Sequence, residues 1–293
     1  CFMIIGVDIG YSSTKTSEGI IFDSAYSKSD GLQSGIEIKI NDVNYIVGVG
    51  SSCYDVNKIN TELTKVCLFT ALALSSDDSK FDVVTGLPIA QYKTQQSEFE
   101  QYISNNNACE VVYNGVKRVI KINKCKVYAQ GAGALYSQYI DGNAIIVDIG
   151  SRTCDIALFQ ISNSKRSLSK YSTLYCGMFQ LYSNVISAVN NKFNLSLSPD
   201  YAETILCDGL KLNGKFQSLD FLIPIYKNHI NELCKELDIN YPVQAVPLYL
   251  CGGGADILFN VLKQKYSNCM IISDSQFANA NGFKKVGEKI WQE

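Results

Sequence analysis

A short apolar segment ending in a glycine turn occurs twice in this chain, and no other feature of the sequence constrains its architecture as strongly. Ile5-Gly6-Val7-Asp8-Ile9-Gly10 returns as Ile145-Ile146-Val147-Asp148-Ile149-Gly150, 140 positions later. Each copy is a continuous apolar run of the kind that forms a strand covered on both faces. Small hydroxyl residues follow each, Ser12, Ser13 and Thr14 in the first case and Ser151 and Thr153 in the second. An internal repeat of this sort points to a duplicated structural unit.

The surrounding pattern also repeats. After the first copy come strand-like runs at 19–22, 36–40 and 44–47, a helical stretch over 61–74, a strand at 81–85 and a polar helix over 91–104. After the second come strands at 155–161 and 169–174 and helices over 178–193, 199–206 and 216–237, the last interrupted or preceded by Pro224. A third apolar strand, 247–251, runs into Gly252-Gly253-Gly254 and a helix over 255–266, followed by a strand at 269–272 and a final helix over 277–290. Strands alternating with helices predict α/β layering. The turn-forming Asp141-Gly142-Asn143 predicts a boundary, with 1–142 plus 275–293 in one domain and 143–274 in the other.

Composition excludes several classes of function. The longest apolar runs, such as Ile145 to Ile149, fall far short of the roughly 20 residues that cross a bilayer, so no membrane association is expected. The opening Cys1-Phe2-Met3 carries no charged leader region, and a cytoplasmic location is expected. A net charge of −2 lacks the dense basic surface that direct nucleic-acid binding requires. The one basic cluster, Lys117, Arg118, Lys121, Lys124 and Lys126, alternates with apolar residues and predicts a pair of short strands with a solvated face. Eleven cysteines without any CxxC spacing read as reduced core thiols. With His229 the sole histidine, zinc sites and histidine-based triads are not expected.

The three glycine turns carry the chemistry. Glycine lets the backbone approach an anion closely and present its N–H groups, so such turns can cradle phosphate. Gly10, Tyr11, Ser12, Ser13, Thr14 and Lys15 add hydroxyls and a cationic amine to the first turn. Gly150, Ser151, Arg152 and Thr153 form the second, and Gly252, Gly253 and Gly254 the third. A plain hairpin is the competing reading of any one turn alone. Asp8 and Asp148 stand one residue before their turns within apolar strands, where a buried carboxylate needs a partner. Hydrated Mg²⁺ on a nucleotide's phosphates is one such partner, and capping of the turn by the same carboxylate is another.

The doubled Val-Asp-Ile-Gly segment and the triple-glycine turn resemble the superfamily of actin, heat-shock ATPases and sugar kinases. The runs from Val127 to Tyr136, Val147 to Asp155, Ile205 to Gly209 and Ala278 to Phe283 are similar to the bacterial actin-like ParM/StbA plasmid-segregation proteins. The resemblance implies an actin-like fold, with two related domains built on duplicated ribonuclease H-like sheets flanking a nucleotide cleft. It implies an ATPase that polymerises into filaments with ATP and segregates plasmid DNA through a DNA-binding adaptor of ParR type. It also places Asp8 and Asp148 at Mg²⁺ through water, Gln130 beside the attacking water, and Gly177 and Lys211 with the nucleotide. Gln130 as a cap of the helix that follows, and Lys211 as a plain surface lysine, are the alternatives. The stretch from Val127 to Tyr136 corresponds to that family's first connecting helix. Tyr11-Ser12 and Arg152 depart from the family's usual small residues. The competing function is a small-molecule kinase of the same superfamily.

Overall fold

The computed structural model describes residues 2–28, 34–52, 59, 61–163 and 165–292. The chain forms two compact units, Cys1–Asp141 with Ile272–Glu293, and Gly142–Ile271. The first contains one mixed sheet of β1 (Met3–Ile9), β2 (Ser13–Thr16), β3 (Ile21–Asp23), β4 (Ala25–Ser27), β5 (Ile36–Ile40), β6 (Val43–Val47), β7 (Ser51–Ser52), β8 (Lys80–Leu87), β9 (Ala108–Tyr113) and β10 (Val116–Ala129). Its strands run in the order β3-β2-β1-β8-β10-β9-β5-β6-β4-β7. Helices α1 (Glu62–Ser75), α2 (Ile89–Asn105) and α3 (Ala132–Ser137) belong to this unit. The second unit contains β11 (Ala144–Ile149), β12 (Cys154–Ser162), β13 (Lys165–Leu174), the hairpin β14 (Lys211–Leu212) and β15 (Lys215–Phe216), β16 (Leu248–Cys251) and β17 (Cys269–Ile271). Its helices are α4 (Met178–Phe193), α5 (Tyr201–Asp208), α6 (Ile223–Asn240) and α7 (Ala255–Lys265); the chain then returns to the first unit as α8 (Ala278–Gln292).

The sequence repeat corresponds to a repeat of topology. In the first unit β3, β2 and β1 are successive antiparallel neighbours, and β8 and then β10 follow in parallel. In the second, β13, β12 and β11 are antiparallel neighbours, and β16 and then β17 follow in parallel. These are the two related sheets of the expected actin-like fold. Strands β1 and β11, which carry the repeated residues, sit at the centre of each five-strand set. Helices α1 and α8 pack against β1. Gly6, where the second copy has Ile146, marks how close α8 comes: a Cβ there would lie 1.9 Å from the Ala280 carbonyl oxygen.

Three segments differ from the sequence expectation. Residues 116–129 form one long strand, not two short ones, with a register irregularity between Ile122 and Lys124 where β10 pairs with β8. Val127 to Ala129 complete that strand, paired with Thr85 to Leu87, and α3 opens only after Gly131, whose φ of +80° breaks the extended run. The helix expected over 216–237 starts instead at Ile223, with Pro224 in its first turn, where proline's missing N–H costs nothing. Phe216 belongs to a hairpin turned by Asn213 and Gly214, both at positive φ, the usual residues of a tight two-residue turn.

Among the described residues, the cysteines are all free thiols, and all are buried except half-buried Cys125 and exposed Cys207. No helix of the described residues is long and apolar enough to cross a membrane.

Candidate functional site

Both copies of the repeat close the same turn. Ile9 pairs with Thr14, and the Gly10 N–H donates to the Ser13 carbonyl at 2.9 Å. Ile149 pairs with Cys154, and the Gly150 N–H donates to the Thr153 carbonyl, again at 2.9 Å. Each is a four-residue hairpin loop whose leading glycine amide bonds within the turn. The hairpin and phosphate readings are therefore compatible, with any anion contact falling to the other groups of the loop.

At the first tip the structure brings two predicted residues into contact. The Asp8 carboxylate, 6% exposed, accepts a hydrogen bond from Gln130 Nε2 through its Oδ1 at 2.7 Å. Gln130 directly follows β10, with its own N–H bonded to the Leu87 carbonyl at 2.8 Å and only 8% of its surface exposed. Its side chain does not cap α3. That task falls to Asn279 of α8, whose Oδ1 accepts the Gly131 N–H at 2.8 Å and the Ala134 N–H at 3.1 Å. Asn279 was not singled out as a site residue in the sequence, because its partners lie about 150 positions away and no local pattern joins them.

Lys15 stands directly across the β1–β2 pair from Asp8. Ser12 is exposed, and Tyr11 and Ser13 are half-buried. Thr14 is fully buried, its hydroxyl 2.9 Å from Ser24 Oγ, so its side chain lies under the sheet edge rather than in the turn.

At the second tip Asp148 lies beside the glycine turn, where a Cβ on Gly252 would come within 2.4 Å of its Oδ1. Directly across from it on β12 is Asp155, which accepts hydrogen bonds from the Thr153 and Thr173 hydroxyls. Gly252 holds φ +86°, the Gly254 N–H bonds the Ile149 carbonyl at 3.0 Å, and Gly253 is exposed with no atom within 4 Å of where a side chain would start. Open space over a glycine at the N-terminal end of α7 is a place where an anion can reach backbone donors.

Ser151, Arg152 and Gly150 have a further role. Their carbonyls accept the N–H groups of Phe179, Gly177 and Met178 at 2.8, 3.1 and 3.0 Å, respectively. The N-terminus of α4 is thus satisfied by the turn itself. Gly177 seats one on the other, since a Cβ there would fall 2.4 Å from the Arg152 carbonyl carbon. Lys211 is exposed on β14, its ammonium 4.5 Å from the centre of the Phe216 ring.

No group of three or more His, Cys, Asp or Glu side chains among the described residues is arranged to hold a metal ion. A cation at Asp8 or Asp148 would therefore take most of its ligands from water and phosphate. That suits Mg²⁺, which keeps several waters and uses one or two carboxylates.

Two family models match the chain in succession, actin-like proteins N-terminal domain over residues 6–133 and archaeal actin homologue MreB-like C-terminal over residues 146–264. A curated relative described as an archaeal actin homolog, from Thermoplasma volcanium, is 22% identical over 98% of this chain and 99% of its own length. An archaeal actin homolog solved in complex with ADP superposes with a TM-score of 0.82 at 21% identity, covering 98% of this chain and 100% of that one. A ParM from a 15-stranded Clostridium botulinum filament superposes with a TM-score of 0.76 at 23% identity, covering 98% and 99%. The likeness thus extends to archaeal relatives as well as to the bacterial proteins that the motifs resemble.

Proposed function

Since the chain is an actin-like protein, with both halves of the actin fold, we propose that it is an ATPase that assembles into filaments with ATP. The observation that carries this reading is the doubled tip: two hairpin turns closed by the same hydrogen bond, each preceded by an aspartate, with Gln130 held on one of those aspartates. In this reading the loop residues after Gly10 and Gly150, together with the exposed Gly253, bind phosphate oxygens through backbone N–H and hydroxyl groups. Asp8 and Asp148 hold Mg²⁺ largely through water, and the ion would neutralise charge on the phosphates. Gln130 orients the attacking water; an amide can both donate to and accept from water without acting as a strong base. Its bond to Asp8 fixes the rotamer before nucleotide arrives.

Self-association follows the head-to-tail type of contact, which builds open polymers instead of closed rings. The relative solved with ADP and the ParM filament support this reading of ligand and assembly. For cargo, we carry forward segregation of plasmid DNA through a ParR-type DNA-binding adaptor, and for location the cytoplasm. A small-molecule kinase is not favoured, since the curated relatives are actin homologs.

Light scattering and phosphate release, followed together after adding ATP and Mg²⁺ to the purified protein, test the proposal. Scattering that rises with ATP and no other substrate, with phosphate release alongside it, is the expected result. ADP formation that requires a small hydroxylated acceptor, without scattering, would overturn it.

A further inference from the structure

Behind the second turn two thiols meet. Cys154 opens β12, paired with Ile149 on one side and Leu174 on the other, and Cys176 follows Leu174 by two residues. The Cys154 thiol donates to the Cys176 carbonyl at 3.2 Å, and the two thiols lie close enough to perturb each other's titration. Both are buried, Cys154 at 1% and Cys176 at 6% exposure. They differ in access. Cys176 lines a cleft of about 310 Å³ between α4 and α6, together with Tyr175, Gln180, Asn184, His229 and Glu232, while Cys154 does not reach it.

The surroundings distinguish the two sulfurs. The hydrogen bond from Cys154 lowers the pKa of Cys176, and the same contact, with burial, raises that of Cys154. His229, whose pKa is lowered by burial, hydrogen-bonds the Cys176 backbone and leaves Nε2 buried without a protein partner. The set does not amount to a metal site, because no metal-holding group of three such side chains exists among the described residues.

We propose that Cys176 and Cys154 form a peroxide-sensitive dithiol, Cys176 being attacked from the cleft and Cys154 resolving it from behind. Oxidation follows thiolate character and access, and a neighbouring thiol captures the product. The Cys176 sulfur forms a bond to one peroxide oxygen as the O–O bond breaks, giving a sulfenic acid and releasing water, or an alcohol from an organic hydroperoxide. The Cys154 sulfur then attacks Cys176, and the hydroxyl leaves as water with the Cys154 proton. Two thiols thereby give two electrons to the peroxide. The resulting bond adjoins the second turn, since Cys154 directly follows Thr153, and Cys176 directly precedes Gly177, whose N–H donates to the Arg152 carbonyl.

The test exposes the intact protein to graded hydrogen peroxide, alkylates the remaining thiols and maps them by peptide mass spectrometry. A Cys154–Cys176 link, reversed by dithiothreitol, should form at doses that leave exposed Cys207 still alkylatable. In Cys154→Ser, sulfenic acid trapped by dimedone should accumulate at Cys176 several-fold above Cys207. The proposal is overturned if Cys207 is oxidised first in the parent protein, a comparison that needs no variant to fold. It is equally overturned if no link forms, or if dimedone labels Cys154 in Cys176→Ser more than Cys176 in Cys154→Ser.

Discussion

Asn279→Ala should destabilise the first unit by about 2 kcal/mol, and the figure follows from the two amides its side chain accepts. Gly131 N–H and Ala134 N–H both donate to Asn279 Oδ1, at 2.8 and 3.1 Å, and α3 has no side-chain cap of its own. Losing a helix cap costs roughly 0.5–2 kcal/mol. Leaving a buried donor without an acceptor costs about 1–3 kcal/mol. The two ranges describe overlapping effects on one helix end, so about 2 kcal/mol is their joint expectation. The assay is urea unfolding without nucleotide, followed by the fluorescence of Trp291, the only tryptophan, which lies in α8 of the same unit. For a unit of this size the loss corresponds to a fall in Tm of roughly 4–8 °C. Asn279→Asp is the control. It keeps an acceptor oxygen and adds negative charge at a helix N-terminus, which offsets part of the cost of burying that charge, so it should lose less stability than the alanine variant. An alanine variant as stable as the parent, or an aspartate variant that falls as far as alanine, would refute the capping argument.

Gln130→Ala should slow phosphate release while largely keeping nucleotide binding, and Asp148→Ala should abolish release; a Gln130 variant at the parent rate would remove that residue from the reaction. Gly6→Ala should cost about 1–3 kcal/mol by overpacking, read in the same urea assay, because its Cβ has no room beneath the Ala280 carbonyl. Glu62 accepts hydrogen bonds from Lys28, Tyr45 and Tyr26, and its pKa is lowered chiefly by the Lys28 bond. A lowered carboxylate contributes stability above its unfolded pKa and loses it as pH falls through the folded one. Glu62→Gln should therefore narrow the stability difference between pH 7 and the acid range, and unfolding curves at both pH values measure it.

The architecture was readable because the two central strands obey one constraint. A strand covered on both faces must be apolar throughout, so β1 and β11 stand out as uninterrupted runs, and their shared Asp-Ile-Gly ending shows that one unit was used twice. Elements whose stability comes from distant partners were less readable. The alternation in residues 116–129 fits one strand or two, and only pairing with β8 and β9 makes it one. Thr14 read as a turn hydroxyl because its local neighbours are small and polar, whereas its partner Ser24 lies on a return segment that no spacing rule identifies. The Asn213-Gly214 turn, by contrast, carried a local signal strong enough to have been recognised.

The duplication supplies turns closed by the same hydrogen bond, but the side chains opposed across the two strand pairs differ in charge. Directly opposed residues in an antiparallel pair bring their Cβ atoms to about 5 Å, close enough for charges to interact. Asp8 stands across the strand pair from Lys15 and accepts the Gln130 amide. Asp148 faces Asp155, a second carboxylate, whose charge is met by the Thr153 and Thr173 hydroxyls. Two carboxylates thus stand opposed at the second tip, where the first has one carboxylate and one ammonium.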